Sequence, residues 1–258
     1  MKVNASKPSL TMHPENTTPS IRLPLAGLLL GLVSLGTLLV AGIGYRQGWW
    51  HFLKGLQIAE WAVYAAALGL VISLVGLARL RRQRRAVVTG LLGVLLALPV
   101  LGMALHWEYA TRAYPPINDI STDTVDPPEF WDMPNPMAYP GEAVAQQQRA
   151  AYPDVAPLTL PYAPPVTFNL ALQLVRESGW ALVGSDVAEG RIEAVATSRL
   201  FGFTDEVSIR ITSNDGGGSQ VDMRSRSRLG NIDRGTNAKR IRGWMAELNK
   251  SAKISSEN

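Results

Sequence analysis

Three long stretches almost free of charge constrain this chain more than any other feature: Leu23 to Tyr45, Leu56 to Ala78 interrupted only by Glu60, and Ala86 to Trp107. At about 1.5 Å rise per residue, each is long enough as a helix to cross a hydrocarbon core of about 30 Å. A secretory signal carries a short leader and a small-x-small cleavage site. The first stretch has neither, since more than twenty residues precede it, and it reads as an uncleaved anchor. The lipid bilayer is thus the first predicted partner, and 23–109 is predicted as a three-span membrane domain after a tail of residues 1–22.

The distribution of charge orients the spans. Between the second and third lies a short connection, Arg79-Leu-Arg-Arg-Gln-Arg-Arg85, with five arginines. Such loops stay cytoplasmic. Alternation then places the N-terminal tail inside and residues 110–258 outside, which for a bacterial inner (plasma) membrane means the periplasm. Trp49, Trp50, Trp61, Trp107 and Tyr109 fall near the same outer boundary, where amphipathic rings prefer to sit. Residues 1–109 hold ten Lys/Arg against three acidic residues, and residues 110–258 hold fifteen against eighteen. The pI near 9.5 therefore comes from the membrane half and is a topology signal, so nucleic acid is not an expected partner. The chain has no cysteine, which excludes lipidated cysteine, disulfides and thiolate metal sites.

Small residues recur at four-residue spacing, at Gly27 and Gly31 and at Ala65, Gly69 and Ser73. They permit close helix approach, either within the bundle or at a homo-oligomer seam. Pro99 is expected to kink the third span. His51, Glu60, His106 and Glu108 share a depth near the outer surface; Glu60 lies about one turn inside its span and reaches water by snorkelling.

Residues 113–165 contain twelve of the seventeen prolines. Proline lacks the backbone donor and fixes φ, so 110–165 is predicted as an extended arm with at most a short helix near 141–151. Its apolar residues, Ile117, Ile120, Phe130 and Trp131, argue against a bare tether. Regular patterning follows over 166–250. Phe168, Ala171, Leu172 and Val175 have helical spacing, with a stop at Gly179. Residues 180–186, 191–198, 206–212 and 219–227 are strand-length, with turn signals at Ala188-Glu-Gly190 and Asn214 to Gly218. Ala238, Ile241, Met245 and Leu248 form one helical face. The predicted class is α+β: a three-helix transmembrane region, the proline-rich arm, then helix, four-stranded antiparallel sheet and helix, ending in a disordered tail over 251–258.

Three stretches carry a resemblance: Asn118-Asp-Ile-Ser-Thr-Asp123 with Pro127-Pro128, then Phe201-Gly-Phe-Thr-Asp205, then Arg224-Ser-Arg-Ser-Arg-Leu-Gly230 running on through Asp233, Gly235, Asn237 and Arg240-Ile241. Together they resemble domain-of-unknown-function family 1499, a group of bacterial and plastid proteins, over roughly residues 112–250. Thr204-Asp205-Glu206 departs from an expected pair of aspartates. The resemblance implies a common fold and often an N-terminal membrane region, and brings no activity, cofactor or catalytic residue with it.

His13, His51 and His106 all lie outside the soluble domain, so neither a Ser-His-Asp triad nor a histidine zinc site is available within it. Thr236-x-x-Lys239 lacks the companion motifs of hydroxyl-lysine enzymes. Asp205 and Glu206 are neighbours on a strand and point to opposite faces. No catalytic residue, metal or cofactor is assigned. The informative feature is charge: residues 110–189 carry three basic and ten acidic groups, residues 190–258 twelve and eight. Arg224, Arg226 and Arg228 share one face of the last strand, and Arg210 is placed to join them. Arg234, Lys239, Arg240 and Arg242 crowd the start of the final helix, where the macrodipole disfavours cations by about 0.3–1 kcal/mol each. Two specific readings compete with a plain solvated face. In one, Asp119, Asp123 and Asp126 of the arm fold back on the cluster. In the other, an external anion binds Arg210, Arg224, Arg226, Arg228, Arg234, Asn237, Lys239 and Arg240. The function expected is a binding or scaffolding module in the cell envelope, for an anionic ligand or an envelope protein; the alternative is a histidine-free enzyme on an anionic envelope substrate.

Overall fold

A computed structural model describes residues 21–257; all but the last two residues of the expected 1–22 tail lie outside them. The chain divides into two compact units, one from residues 21–38 and 60–101, the other from 39–59 and 102–257.

Three helices supply the first unit: α1 (Arg22–Arg46), α2 (Phe52–Arg79) and α3 (Arg84–Ala113). All three are long and apolar enough to cross a membrane, which marks a membrane protein. The small residues bring backbones together within this chain. A Cβ at Gly27 would lie 2.9 Å from the Ser73 amide and 3.1 Å from the Gly69 carbonyl, and one at Gly93 would lie 3.0 Å from the Leu28 amide. α3 continues through Pro99.

In the second unit the sheet has six strands rather than four. Its order is β1-β6-β5-β4-β3, with β2 also on β6, and every pairing is antiparallel. β3 (Ala181–Asp186), β4 (Arg191–Thr197), β5 (Thr204–Ser213) and β6 (Ser219–Ser227) form the regular part. The two extra strands come from the arm: β1 (Asp119–Ser121) and β2 (Leu158–Leu160) pair with opposite ends of β6's free edge. Each has three residues in a proline-free window, too short for period-two alternation to be seen in sequence. Between them α4 (Glu142–Ala151) forms the arm's one helix.

One face of the sheet is apolar. Ile192, Ala194, Val207, Ile209, Ile211, Val221 and Met223 pack against α5 (Pro164–Glu177) and α6 (Thr236–Glu257). Burying a large side chain of this kind contributes about 1.5–3 kcal/mol. α5 starts on proline, whose missing donor is no loss in the first turn. It stops at Ser178, where Gly179 takes φ +70°. The stretch 251–257, expected to be a tail, continues α6. The reason is local: Ala252 is buried in the core and its carbonyl accepts a hydrogen bond from the Tyr162 hydroxyl at 2.8 Å.

Candidate functional site

The other face of the sheet is polar and is covered by the arm. Strand alternation puts Glu206, Ser208 and Arg210 of β5 on that face beside Asp222, Arg224 and Arg226 of β6. Register makes direct neighbours of Glu206 and Arg226, of Ser208 and Arg224, and of Arg210 and Asp222. Arg191 and Glu193 of β4 continue the array, opposite Arg210 and Ser208.

The arm runs across this array, and its prolines leave backbone groups that no ladder can satisfy. Side chains of the sheet satisfy them. The Trp131 and Asp132 amides donate to the Glu193 carboxylate at 2.7 and 3.0 Å. The Glu129 carbonyl accepts from Ser208 Oγ at 2.7 Å, the Met137 carbonyl from Arg224 at 3.0 Å, and the Asn135 carbonyl from Arg226.

Arg224 is the largest fully buried side chain, 1% exposed. Its Nε and Nη2 form a fork on the Asp119 carboxylate at 2.9 and 2.7 Å, the bidentate geometry that offsets the desolvation of two buried charges. Its guanidinium lies 4.8 Å from the Phe130 ring centre and 5.6 Å from that of Tyr139. Arg226 donates to Glu206 at 2.6 Å and stacks on Phe130 at 4.5 Å. Arg228 reaches the other oxygen of Glu206 at 2.9 Å. Burial beside Asp119 pushes the Tyr139 phenol up to about 12.

At the rim, Arg210 faces three carboxylates: Asp126 at 2.7 Å, Asp123 at 3.3 Å and Asp222 at 3.4 Å. Asp126 is largely exposed, and Arg210 Nε is buried with no hydrogen-bond partner among the described residues. Two open clefts flank the Thr124–Glu129 turn of the arm. One, of about 360 Å³, is lined by Asp126, Trp131, Arg191, Ser208 and Arg210. The second, of about 430 Å³, is lined by Tyr139, Glu142 and Arg224. Hydrogen bonds to Asp132, Glu189 and Glu193 hold the Arg191 guanidinium well above its ordinary range, against the opposing effect of burial.

The residues singled out from sequence fall in three places. Arg210, Arg224, Arg226 and Arg228 share the arm face with Asp119, Asp123 and Asp126. Asn237 and Arg240 lie on the opposite, helix-covered face: Arg240 pairs with Asp205 and donates to Ser225 Oγ at 2.9 Å, and Asn237 spans from Ser225 to the Asn118 carbonyl. Arg234 and Lys239 meet the end of α3, over the rings of Trp107 and Tyr114. At the start of α6, Asp233 accepts from the Gly235 and Asn237 amides, both at 2.8 Å, and meets the dipole with negative charge. Glu193, Glu206 and Ser208 were missing from the sequence-derived site; extending the parity argument from β6 to β5 and β4 would have found them.

No curated protein matches this chain. The family model described as "Protein of unknown function (DUF1499)" matches residues 119–248, half of the chain. The match spans the sheet, α5, the first part of α6 and the arm from Asp119 onward, and by it the chain belongs to the DUF1499 family.

Proposed function

We propose that this is an envelope protein anchored by three transmembrane helices, with the arginine-rich α2–α3 loop in the cytoplasm and the α+β domain on the opposite side as a binding module for an anionic ligand or partner. The observation that carries it is Arg210. Its neighbours Arg224 and Arg226 are sealed under the arm. Arg210 stands at the mouth of a cleft, held in part by the exposed carboxylate of Asp126. An incoming carboxylate or phosphate would replace Asp126 without unpairing a buried charge. Trp131 beside it offers a ring face to a sugar or other flat group.

The test is binding of phosphate esters, acidic glycans and acidic peptides to the full chain in detergent, with turnover followed in parallel. Asp126→Ala is expected to tighten binding by removing the competitor, and Arg210→Ala to abolish it, with affinity falling as salt rises. Binding that ignores both substitutions would refute this site, and turnover would favour the enzyme reading.

A further inference from the structure

Cations on the arm face and over the sheet are neutralised by carboxylates. Arg191, Arg210, Arg224, Arg226, Arg228, Arg240 and Arg242 each have one within 4 Å. Arg234 and Lys239 are different. Among the described residues neither has a carboxylate in salt-bridge reach. Both sit instead on aromatic rings at the end of α3.

The geometry there is specific. Trp107, Thr111 and Tyr114 follow i, i+4, i+7 spacing and line one face of α3 and its continuation. The Arg234 guanidinium lies 3.8 Å from the Trp107 ring centre, and its Nε donates to Thr111 Oγ1 at 2.8 Å. Lys239 Nζ lies 5.1 Å from the Tyr114 ring centre. Arg234 alone among the described non-glycine residues takes a left-handed backbone, φ 54°, an arrangement that costs free energy for a residue with a Cβ. The next residue, Gly235, also takes positive φ, and a Cβ on it would lie 2.9 Å from the Tyr114 ring. Close packing thus holds Arg234 against α3, while among the described residues its two terminal guanidinium nitrogens have no hydrogen-bond acceptor. Burial also pushes the Arg234 guanidinium down from its ordinary range.

Depth supplies the second argument. Ala86 to Leu105 makes about 30 Å of apolar helix, the thickness of a hydrocarbon core. Thr111 lies six residues further on, about 9 Å beyond it, at the level of lipid headgroups. Leu105, Trp107 and Tyr109 are exposed around this helix end, as in an interfacial aromatic belt.

We propose that Arg234 and Lys239, held over Trp107 and Tyr114, bind the phosphate of an anionic phospholipid headgroup in the leaflet from which α3 emerges. The site is independent of the Arg210 cleft and would anchor the start of α6 to the membrane surface.

The test uses the full chain in nanodiscs of phosphatidylcholine alone or with phosphatidylglycerol added, followed by native mass spectrometry of retained lipid and by thermal melting. Wild type is expected to retain phosphatidylglycerol and to melt higher in the mixed bilayer. Retention is expected to fall about five-fold per cation removed in Arg234→Gln and Lys239→Gln. Arg234→Lys should keep most of it, which guards against a variant that merely misfolds. Arg210→Ala should keep all of it, which separates this site from the cleft. Inorganic phosphate added to the phosphatidylcholine discs should not reproduce the shift in melting. The proposal is overturned if wild type shows no preference for phosphatidylglycerol, if Arg234→Gln lowers melting equally in both bilayers without changing retention, or if free phosphate gives the same stabilisation.

Discussion

Arg224 and Asp119 lie 105 positions apart in sequence and meet through a two-point fork inside the domain, both almost fully buried. Removing one partner of such a pair leaves a charge with neither water nor counter-ion. Asp119→Ala is expected to destabilise the domain by about 3–5 kcal/mol. The double substitution Asp119→Leu with Arg224→Met should cost less than Asp119→Ala alone. Chemical denaturation of the full chain in detergent, followed by tryptophan fluorescence, checks both. A double variant weaker than the single would show that the carbonyl contacts of Arg224, not the ion pair, hold the arm.

Gln148 of α4 acts as a substitute strand partner for β1. Its amide nitrogen donates to the Ser121 carbonyl at 2.6 Å, and its oxygen accepts from the Ser121 amide at 3.0 Å. Gln148→Ala leaves both backbone groups buried and unpaired. A loss of about 1–3 kcal/mol is expected, with faster hydrogen exchange at the Ser121 amide while the β4 and β5 amides stay protected.

Two glycines of the C-terminal region should respond in opposite directions to alanine. Gly243 lies exposed in α6 with nothing within 4 Å of an added Cβ, so Gly243→Ala should stabilise by up to about 1 kcal/mol. Gly235→Ala meets both positive φ and the Tyr114 ring. It should destabilise by about 1–2 kcal/mol from the backbone conformation alone. Thermal melting of the two variants side by side is the measurement.

Tyr139 and Tyr152 are both pushed up to about 12, chiefly by burial, with Asp119 adding to the first and Asp233 to the second. Because the folded value exceeds the unfolded value of about 10, their contribution is complete below pH 10 and is lost as pH rises towards 12. Stability should fall over that window, and Tyr139→Phe with Tyr152→Phe should flatten the fall. Asp154, held down by its hydrogen bonds to Arg242, behaves oppositely: its contribution exists above about pH 4 and is lost on acidification. That pair is mostly exposed on the Asp154 side, so the acid effect should be small.

Orientation is testable with reporter fusions. A reporter active only outside the cytoplasm should work after Asn258 and fail at Gln83; the reverse would invalidate the proposed placement. Neutralising the five arginines at 79, 81, 82, 84 and 85 should scramble the orientation.

Local signals were enough for most of the elements. Three apolar windows determined three helices, because length and hydropathy alone suffice for a segment that satisfies its own backbone. Strand-length windows between turn signals located β3 to β6, with period-two alternation clearest in β5 and β6, and helical spacing located α5 and α6. Even the split between Asp205 and Glu206 was legible, since neighbours on a strand face opposite ways: Asp205 meets Arg240 on the helix side, Glu206 meets Arg226 on the arm side. Only the tertiary structure decided where the arm goes and which charge meets which. β1 and β2 exist because β6 offers them a free edge, and three residues carry no periodicity of their own. For Arg224, Arg226 and Arg228 the sequence left three readings open: an arm contact, an external anion and a solvated face. Only the folded chain lays the proline-rich segment, with backbone groups it cannot pair internally, over Arg224 and Arg226. Ion pairing between residues about a hundred positions apart depends on register and chain path, which emerge only when every strand has found its neighbour.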